Sequence, residues 1–235
     1  VNNKKNESLL EITLSGPTLV FNDNYVISIT GGDFNPLINK LPVKMYQPIN
    51  VKLGDTLKLN NTINGARCYI AVSGGLKVKS IFGSKAFFSI ITDSYFLKKN
   101  DEIKVSKKSK NKILKWDRFN FKLNRSIEVF KGPEFDLLSS NSKNKLFKNE
   151  FTISTNNRMA YNLVEKLQVG TKSIISSPVL PGSVQLTPSG KMIILHRDCQ
   201  TTGGYPRILQ LNISSLNYLS QLKSTDKIKL RLINL

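Results

Sequence analysis

Short runs of alternating apolar and polar residues, each bounded by Gly, Pro, Asn or Asp, recur along the whole chain. Such runs are typical of strands, because successive side chains of a strand point to opposite faces of a sheet. We predict strands at residues 10–14, 25–30, 56–59, 67–72, 126–129 and 191–196. Stretches of helical period are few, and predict a short turn at residues 144–148 and a short helix at 214–221. The sequence therefore predicts a mostly β fold with a few short helices.

Two pairs of landmarks divide the chain into halves. SGP at residues 15–17 returns as KGP at 131–133, and paired glycines follow a β-rich run at 74–75 and again at 203–204. GP and GG are also common turn signals in any β protein, so the spacing alone leaves duplication open. The hypothesis of two similar half-chains gives a first domain over residues 1–115 and a second over 116–235.

Composition limits the partners that the chain is expected to have. A net charge of +19 would by itself favour binding to nucleic acid. The lysines are dispersed, however, and the one dense run, at residues 104–115, is predicted to be a solvated linker. We expect no nucleic-acid partner. The apolar runs are far shorter than the roughly 20 residues of a membrane helix, so we expect no membrane span. Cys68 and Cys199 form no CxxC pair, and a cytoplasmic location is expected.

The common catalytic signatures are missing from the sequence. His196 is the single histidine, which argues against a histidine-rich metal site, and we predict no metal. The chain has no GxxxxGK[ST] loop and no GxSxG elbow. A bound nucleotide would need another subunit or another kind of loop.

The densest cluster of polar residues is HRDCQTTGGYPR at residues 196–207. Strand alternation places Asp198, Gln200 and Thr202 on one face, where an acid, an amide and a hydroxyl would converge on a small polar ligand. Backbone N–H groups at Gly203 and Gly204 would then approach a developing oxyanion closely. In the alternative interpretation, the polar side chains cap a turn and the glycines supply its positive φ angles.

Three further stretches contain candidate ligand-binding residues. Arg158, next to Asn157, has a guanidinium suited to a carboxylate, although a structural ion pair is nearly as good an interpretation. Gln185 follows a Pro-Gly turn, and its amide could bind a ligand amide. In the first half, Asp33 and Arg67 lie beside glycines, where ordinary turn chemistry is an equal alternative.

Taken together, these motifs resemble the biotin-dependent carboxyltransferase-like family, which includes the C subunit of 5-oxoprolinase, the second subunit of allophanate hydrolase and the carboxyltransferase part of urea amidolyase. The resemblance covers nearly the whole chain, in the family's order. It runs through LEITLSGP (10–17), ITGGDF (29–34), GARCYIAVSGGL (65–76), VFKGPEFDLL (129–138), NNRMAYNL (156–163), LPGSVQL (180–186) and DCQTTGGYPRI (198–208).

The resemblance implies two similar cyclophilin-like β-barrel lobes and a function on a small amide. The first expectation is a subunit of an ATP-dependent 5-oxoprolinase, and the alternatives are a biotin-dependent carboxyltransferase for urea-like amides or a regulatory antagonist of a kinase inhibitor. Arg158 would hold a substrate carboxylate or a biotin carbonyl. Asp198, Gln200, Thr201 and Tyr205, with the glycine backbone, would surround the reacting amide.

The same resemblance implies partners. A companion B-type subunit and a LamB/YcsF-type protein would complete a 5-oxoprolinase, and any biotin would arrive on another protein. Two features depart from the family: the chain is expected to be N-terminally shortened, lacking a TTxQDxGR-like segment, and KAFFSIITDSYF at 85–96 replaces a glycine-rich stretch. Lys85 stands where the family usually has arginine.

Overall fold

The computed structural model describes residues 1, 3–4, 6–88, 91–92, 94, 96–106, 126–168 and 173–234. The chain divides into two compact units, Val1–Asn120 and Phe121–Leu235. The lysine run at residues 104–115 was predicted to be a linker, and its part after residue 106 lies outside the described residues. Within those residues, no helix is both long and apolar enough to cross a membrane.

The first unit contains two four-stranded sheets, with strand orders β1-β8-β3-β6 and β2-β7-β4-β5. Alternate residues of its long central strand point inward, so that Ile27 and Ile29 are fully buried and lie in one core cluster with Ile70 of the neighbouring strand of the same sheet. The strands are β1 (Leu10–Thr13), β2 (Thr18–Val20), β3 (Tyr25–Asp33), β4 (Leu37–Ile38), β5 (Leu41–Pro42), β6 (Ile49–Val51), β7 (Thr56–Lys58) and β8 (Asn64–Val72).

The second unit is built around a closed barrel with strand order β10-β11-β14-β13-β16-β9-β17. The last strand, β17, pairs in parallel with β9, the first strand of the unit. Inward side chains such as Ile127 and Ile228 fill the interior. The strands are β9 (Ser126–Lys131), β10 (Glu150–Asn156), β11 (Ala160–Lys166), β12 (Ser177–Pro178), β13 (Ser183–Leu186), β14 (Lys191–Leu195), β15 (Thr202–Gly203), β16 (Arg207–Leu211) and β17 (Lys227–Leu232).

The two α-helices among the described residues begin earlier than their apolar periodicity predicts. Helix α1 (Ser140–Lys148) starts after Ser139, whose side chain accepts a hydrogen bond from the Ser142 N–H. Helix α2 (Ile213–Leu219) starts after Asn212, which caps it in the same way. Ser and Asn caps fix a helix start without any apolar signal. The predicted mostly β fold with short helices is confirmed.

The two Gly-Pro turns dock in the same manner in both units. The Gly16 N–H donates to the Asn60 carbonyl at 3.1 Å, and the Gly132 N–H donates to the Ile208 carbonyl at 2.9 Å. A Cβ on either glycine would lie within 2.2 Å of an atom of the residue before that acceptor. Each turn therefore requires glycine for its close approach to a neighbouring strand or loop.

The paired glycines do not correspond in this way. Gly74 and Gly75 have φ angles of 93° and 79°, which favour glycine. Neither Gly203 nor Gly204 is among the residues with positive φ. Of the two repeated landmarks, only the Gly-Pro turn has the same local structure in both units.

Candidate functional site

The polar cluster of the sequence forms a loop between β14 and β16, which we call the polar loop (residues 196–206). Its centre, β15, pairs with β12, so that Thr202 lies opposite Pro178 and Gly203 lies opposite Ser177. The Val179 N–H donates to the Thr201 carbonyl at 3.0 Å beside this short ladder. The polar loop is therefore held at its middle by backbone hydrogen bonds.

At its start the polar loop is joined to the hairpin of β10 and β11. The Asn157 side chain accepts hydrogen bonds from the Met159 and Ala160 N–H groups at 2.8 and 2.9 Å, which fixes the hairpin turn. The Arg158 carbonyl accepts a hydrogen bond from the Asp198 N–H at 2.8 Å. Asn157 thus positions the turn that presents Arg158.

Arg158 and Asp198 form a two-point ion pair. The Arg158 Nε lies 2.6 Å from Asp198 Oδ2, and its Nη2 lies 3.2 Å from Oδ1. The two side chains are 49% and 33% exposed, so solvent screens the pair and it contributes little stability. This geometry corresponds to the salt-bridged interpretation of Arg158, and a substrate carboxylate would have to compete with Asp198.

A buried amide lies beneath the polar loop. Gln185 is 2% exposed, and its Oε1 accepts a hydrogen bond from Gln200 Nε2 at 3.4 Å. Its Nε2 donates to the Tyr205 carbonyl at 3.5 Å. Both distances are at the long end for hydrogen bonds. The structure thus brings together three of the predicted residues, although Gln185 lies 15 positions before Gln200 in the sequence.

The two loop glycines differ in their surroundings. A Cβ at Gly203 would lie 2.4 Å from Gln185 Nε2, so this glycine makes room for the buried amide. At Gly204 the nearest atoms to a Cβ would be the Ile174 carbonyl oxygen at 3.5 Å and Ser176 Oγ at 3.9 Å, which is ordinary contact. The alternative that these glycines supply positive φ angles is wrong. The Gly204 carbonyl accepts a hydrogen bond from the Ile174 N–H at 2.9 Å.

Thr201 and Tyr205 lie on the exposed side of the loop. Tyr205 is 38% exposed, and Thr201 and Gln200 are exposed as well. Their roles toward a ligand stay predictions.

Asp33 and Arg67 belong to the first unit. The Asp33 Oδ1 accepts a hydrogen bond from the Asn35 N–H at 2.8 Å, which is a turn contact within its own loop. Arg67 is 4% exposed, and its Nε lies 3.8 Å from Glu11 Oε1. These contacts agree with the structural interpretation of both residues.

An ion pair between Glu134 and Arg207, which the sequence patterns do not predict, lies close to the polar loop. The Arg207 Nε and Nη2 donate to the two Glu134 oxygens at 2.9 and 2.6 Å. The hydrogen bonds from Arg207 hold the pKa of Glu134 below its ordinary value of 4.5. The pair therefore contributes stability above that value and loses it as the pH falls through the lowered pKa. Seventy-three positions separate the partners, so no local pattern joins them.

Metal ligands do not cluster in the part of the chain that the structure describes, where no group of three His, Cys, Asp or Glu side chains converges. The buried His196 ring packs against the Tyr161 ring with centroids 5.3 Å apart. The His196 backbone N–H donates to the Met159 carbonyl, which joins the loop start to the hairpin.

We expect the two cysteines to differ in reactivity. Cys68 is fully buried, and burial raises the pKa of its thiol to about 12, whereas Cys199 at the polar loop is partly exposed. Iodoacetamide should modify Cys199 at least about 100-fold faster than Cys68 in the native protein, because only the exposed thiolate reacts without opening of the fold. Mass spectrometry of timed digests measures both rates, and equal rates would contradict the buried position of Cys68.

The comparisons with known proteins define the class. Residues 1–232 match the family described as carboxyltransferase domain, subdomain A and B, and the chain belongs to this family. It is 28% identical over 229 residues to the C subunit of 5-oxoprolinase from Escherichia coli K12, covering 94% of this chain and 74% of that relative. It is 31% identical over 116 residues to urea amidolyase of Saccharomyces cerevisiae, covering 44% of this chain and 6% of that protein.

Among solved structures, the urea carboxylase of Kluyveromyces lactis has the same fold, with a TM-score of 0.89 and 22% identity. The match covers 100% of this chain but only 24% of that one. At this identity the likeness shows the fold alone. In that protein the fold is one part of a much longer chain.

Proposed function

We propose that this chain is one component of a 5-oxoprolinase-type enzyme, that it binds a small cyclic amide at the polar loop, and that a companion protein completes the reaction. The similarity to the C subunit of 5-oxoprolinase over most of the chain supports this proposal. That relative is one subunit of its enzyme, which supports the need for companions.

The observation that carries the proposal is the chemistry of the groups at the loop. The buried Gln185 amide and the Gln200 amide offer both donors and acceptors, which complement the carbonyl and N–H of a lactam. The guanidinium groups of Arg158 and Arg207, which border the loop, already hold carboxylates, whereas that of Arg197 within the loop donates to an amide oxygen. The two glutamine amides therefore match the lactam ring of 5-oxoproline, whose carboxylate would have to compete with Asp198 for Arg158.

This set of groups does not fit the triphosphate of ATP, which needs cations or a phosphate-binding glycine loop. We assign ATP binding to a companion protein. In the proposed reaction this chain holds the lactam, and the Gly204 N–H would donate to its carbonyl oxygen as that oxygen gains charge. Tyr205 and Thr201 would limit access of water from the exposed side.

Carboxyl transfer to a urea-like amide is the second candidate. A 79-residue stretch is 43% identical to a urea carboxylase relative, which favours this chemistry locally. The ureido ring of biotin is itself a neutral amide, so Gln185 and Gln200 have groups that fit it. When bound in its carboxylated form, biotin would supply the carboxyl group.

We expect the purified chain alone to have no turnover on 5-oxoproline or urea. Opening a stable amide requires several kcal/mol of transition-state stabilisation beyond what a few N–H and amide donors supply. Turnover should appear only with the products of the neighbouring genes and ATP. The assay follows ADP and glutamate release for 5-oxoproline, and biotin-dependent carboxylation for urea.

Two variants connect the activity to the loop. Gln185→Leu should lower kcat/KM of the complete complex by about 100-fold, because the buried amide loses its polar atoms. Val164→Ala on the outer face of β11 is exposed and serves as the control. Robust turnover by the isolated chain would contradict the need for a companion protein. Full activity of Gln185→Leu would show that the ligand does not bind at the polar loop.

A further inference from the structure

We propose that Glu134 and Arg207 form a clamp that positions the polar loop for its ligand. This inference rests on the proposed function, in which the polar loop is the binding site. Both act as positioning residues, because their contacts reach the strand paired with the loop and not the proposed ligand.

The Arg207 guanidinium joins two segments that lie on either side of it. Its Nε and Nη2 bind both oxygens of Glu134 in the turn after β9, and its Nη1 donates to the Pro178 carbonyl of β12 at 2.8 Å. Pro178 lies opposite Thr202 in the ladder with β15. The Arg207 guanidinium thus connects the Gly-Pro turn to β12, the strand with which the polar loop is paired.

The pair is well shielded from solvent. The Arg207 and Glu134 side chains are 19% and 17% exposed, compared with 49% for Arg158. The Arg207 N–H also donates to Glu134 Oε2 at 2.8 Å, so one carboxylate accepts three hydrogen bonds from the same residue. Charge-assisted bonds with this geometry hold both partners in one arrangement.

The first unit shows that the Gly-Pro turn does not need this ion pair. Its turn at Gly16 docks through the same backbone hydrogen bond and the same close approach. At the places of Glu134 and Arg207, counted from the glycine and from its carbonyl acceptor, the first unit has Thr18 and Leu59. The ion pair is therefore additional to the docking of the turn, and it acts on the ladder of β12 and β15.

The clamp also requires arginine. Lysine presents a single compact charge and cannot bind both carboxylate oxygens and the Pro178 carbonyl in one planar fork. Arg207→Lys should keep the charge and loosen the loop, whereas Arg207→Met should loosen it further. Glu134→Gln keeps the shape of the turn and removes the charge.

The test is hydrogen exchange of the full chain, read by mass spectrometry. In Arg207→Met and Glu134→Gln, the amides of residues 200–205 should exchange about tenfold faster than in the wild type, because the ladder opens more often. Arg207→Lys should fall between. The matched control is Arg231→Met, which removes the ion pair between Arg231 of β17 and Glu128 of β9 and should leave these amides unchanged.

The outcomes separate positioning from general stability. The clamp is supported if Arg207→Met and Glu134→Gln exchange faster only in the loop and in β12. Their melting temperatures should also stay close to that of Arg231→Met. Unchanged loop exchange overturns it, and so does equal acceleration across the whole barrel. In the complete complex, kcat should fall about tenfold in Arg207→Lys with little change in KM. Exchange is independent of turnover, so faster loop exchange in the variants together with no activity in the wild-type complex would reject the proposed function and leave the clamp standing.

Discussion

Gly132→Ala should lower the free energy of unfolding of the second unit by about 3 to 5 kcal/mol, which is among the largest effects expected of any point substitution. The new Cβ would lie 2.1 Å from the Arg207 carbonyl oxygen and 2.8 Å from the carbonyl carbons of Arg207 and Ile208. All three atoms belong to a strand of the closed barrel, so no side chain can move aside to relieve the contact. Urea unfolding followed by circular dichroism measures the change.

Two other glycine substitutions serve as controls for Gly132→Ala. Gly204→Ala adds the same methyl group in the same unit, where it meets only ordinary contacts, and should change stability by less than about 1 kcal/mol. Gly16→Ala should destabilise the first unit, since its Cβ would lie 2.2 Å from Leu59 Cβ. If Gly132→Ala unfolds with the same midpoint as Gly204→Ala, the docking of the Gly-Pro turn is not as tight as the structure gives it.

The strands that were predicted correspond to β1, β3, β7, β8, β9 and β14, because a strand half-buried in a sheet leaves its period in the sequence. Residues 10–14 and 126–129 alternate as predicted, and β1 and β9 occupy nearly those ranges. The sheet order was not predictable, since pairing partners such as β9 and β17 are about 100 residues apart and carry no local signal. The helix starts were also set by the caps Ser139 and Asn212 rather than by apolar residues.

The site was predictable only in part, for a similar reason. Composition drew attention to residues 196–207, because polar groups in a strand pattern need partners or ligands. What the side chains bind depends on the fold: Asp198 pairs with Arg158, and Gln200 reaches Gln185. Glu134 was missed because it follows an ordinary turn motif, and only the barrel brings it to Arg207.

The second large effect concerns the loop glycines, which look equivalent in the sequence and differ in the structure. Gly204→Ala should lower kcat/KM of the complete complex by about 100-fold while the protein keeps its wild-type stability. Under the proposed function the added methyl group would keep a ligand carbonyl away from the Gly204 N–H, and loss of one such hydrogen bond typically lowers kcat by about 100- to 1,000-fold. Steady-state kinetics with 5-oxoproline and ATP, beside a thermal melt, give both quantities.

Gly203→Ala provides the contrast, because its methyl group would lie 2.4 Å from Gln185 Nε2 and must displace the buried amide. This variant should lose stability, by about 1 to 3 kcal/mol, as well as activity. The pair therefore separates a glycine required for packing from a glycine required for ligand approach. If Gly204→Ala turns over at the wild-type rate, the ligand does not approach the backbone at this point, and the amide groups of Gln185 and Gln200 would have to bind it from another direction.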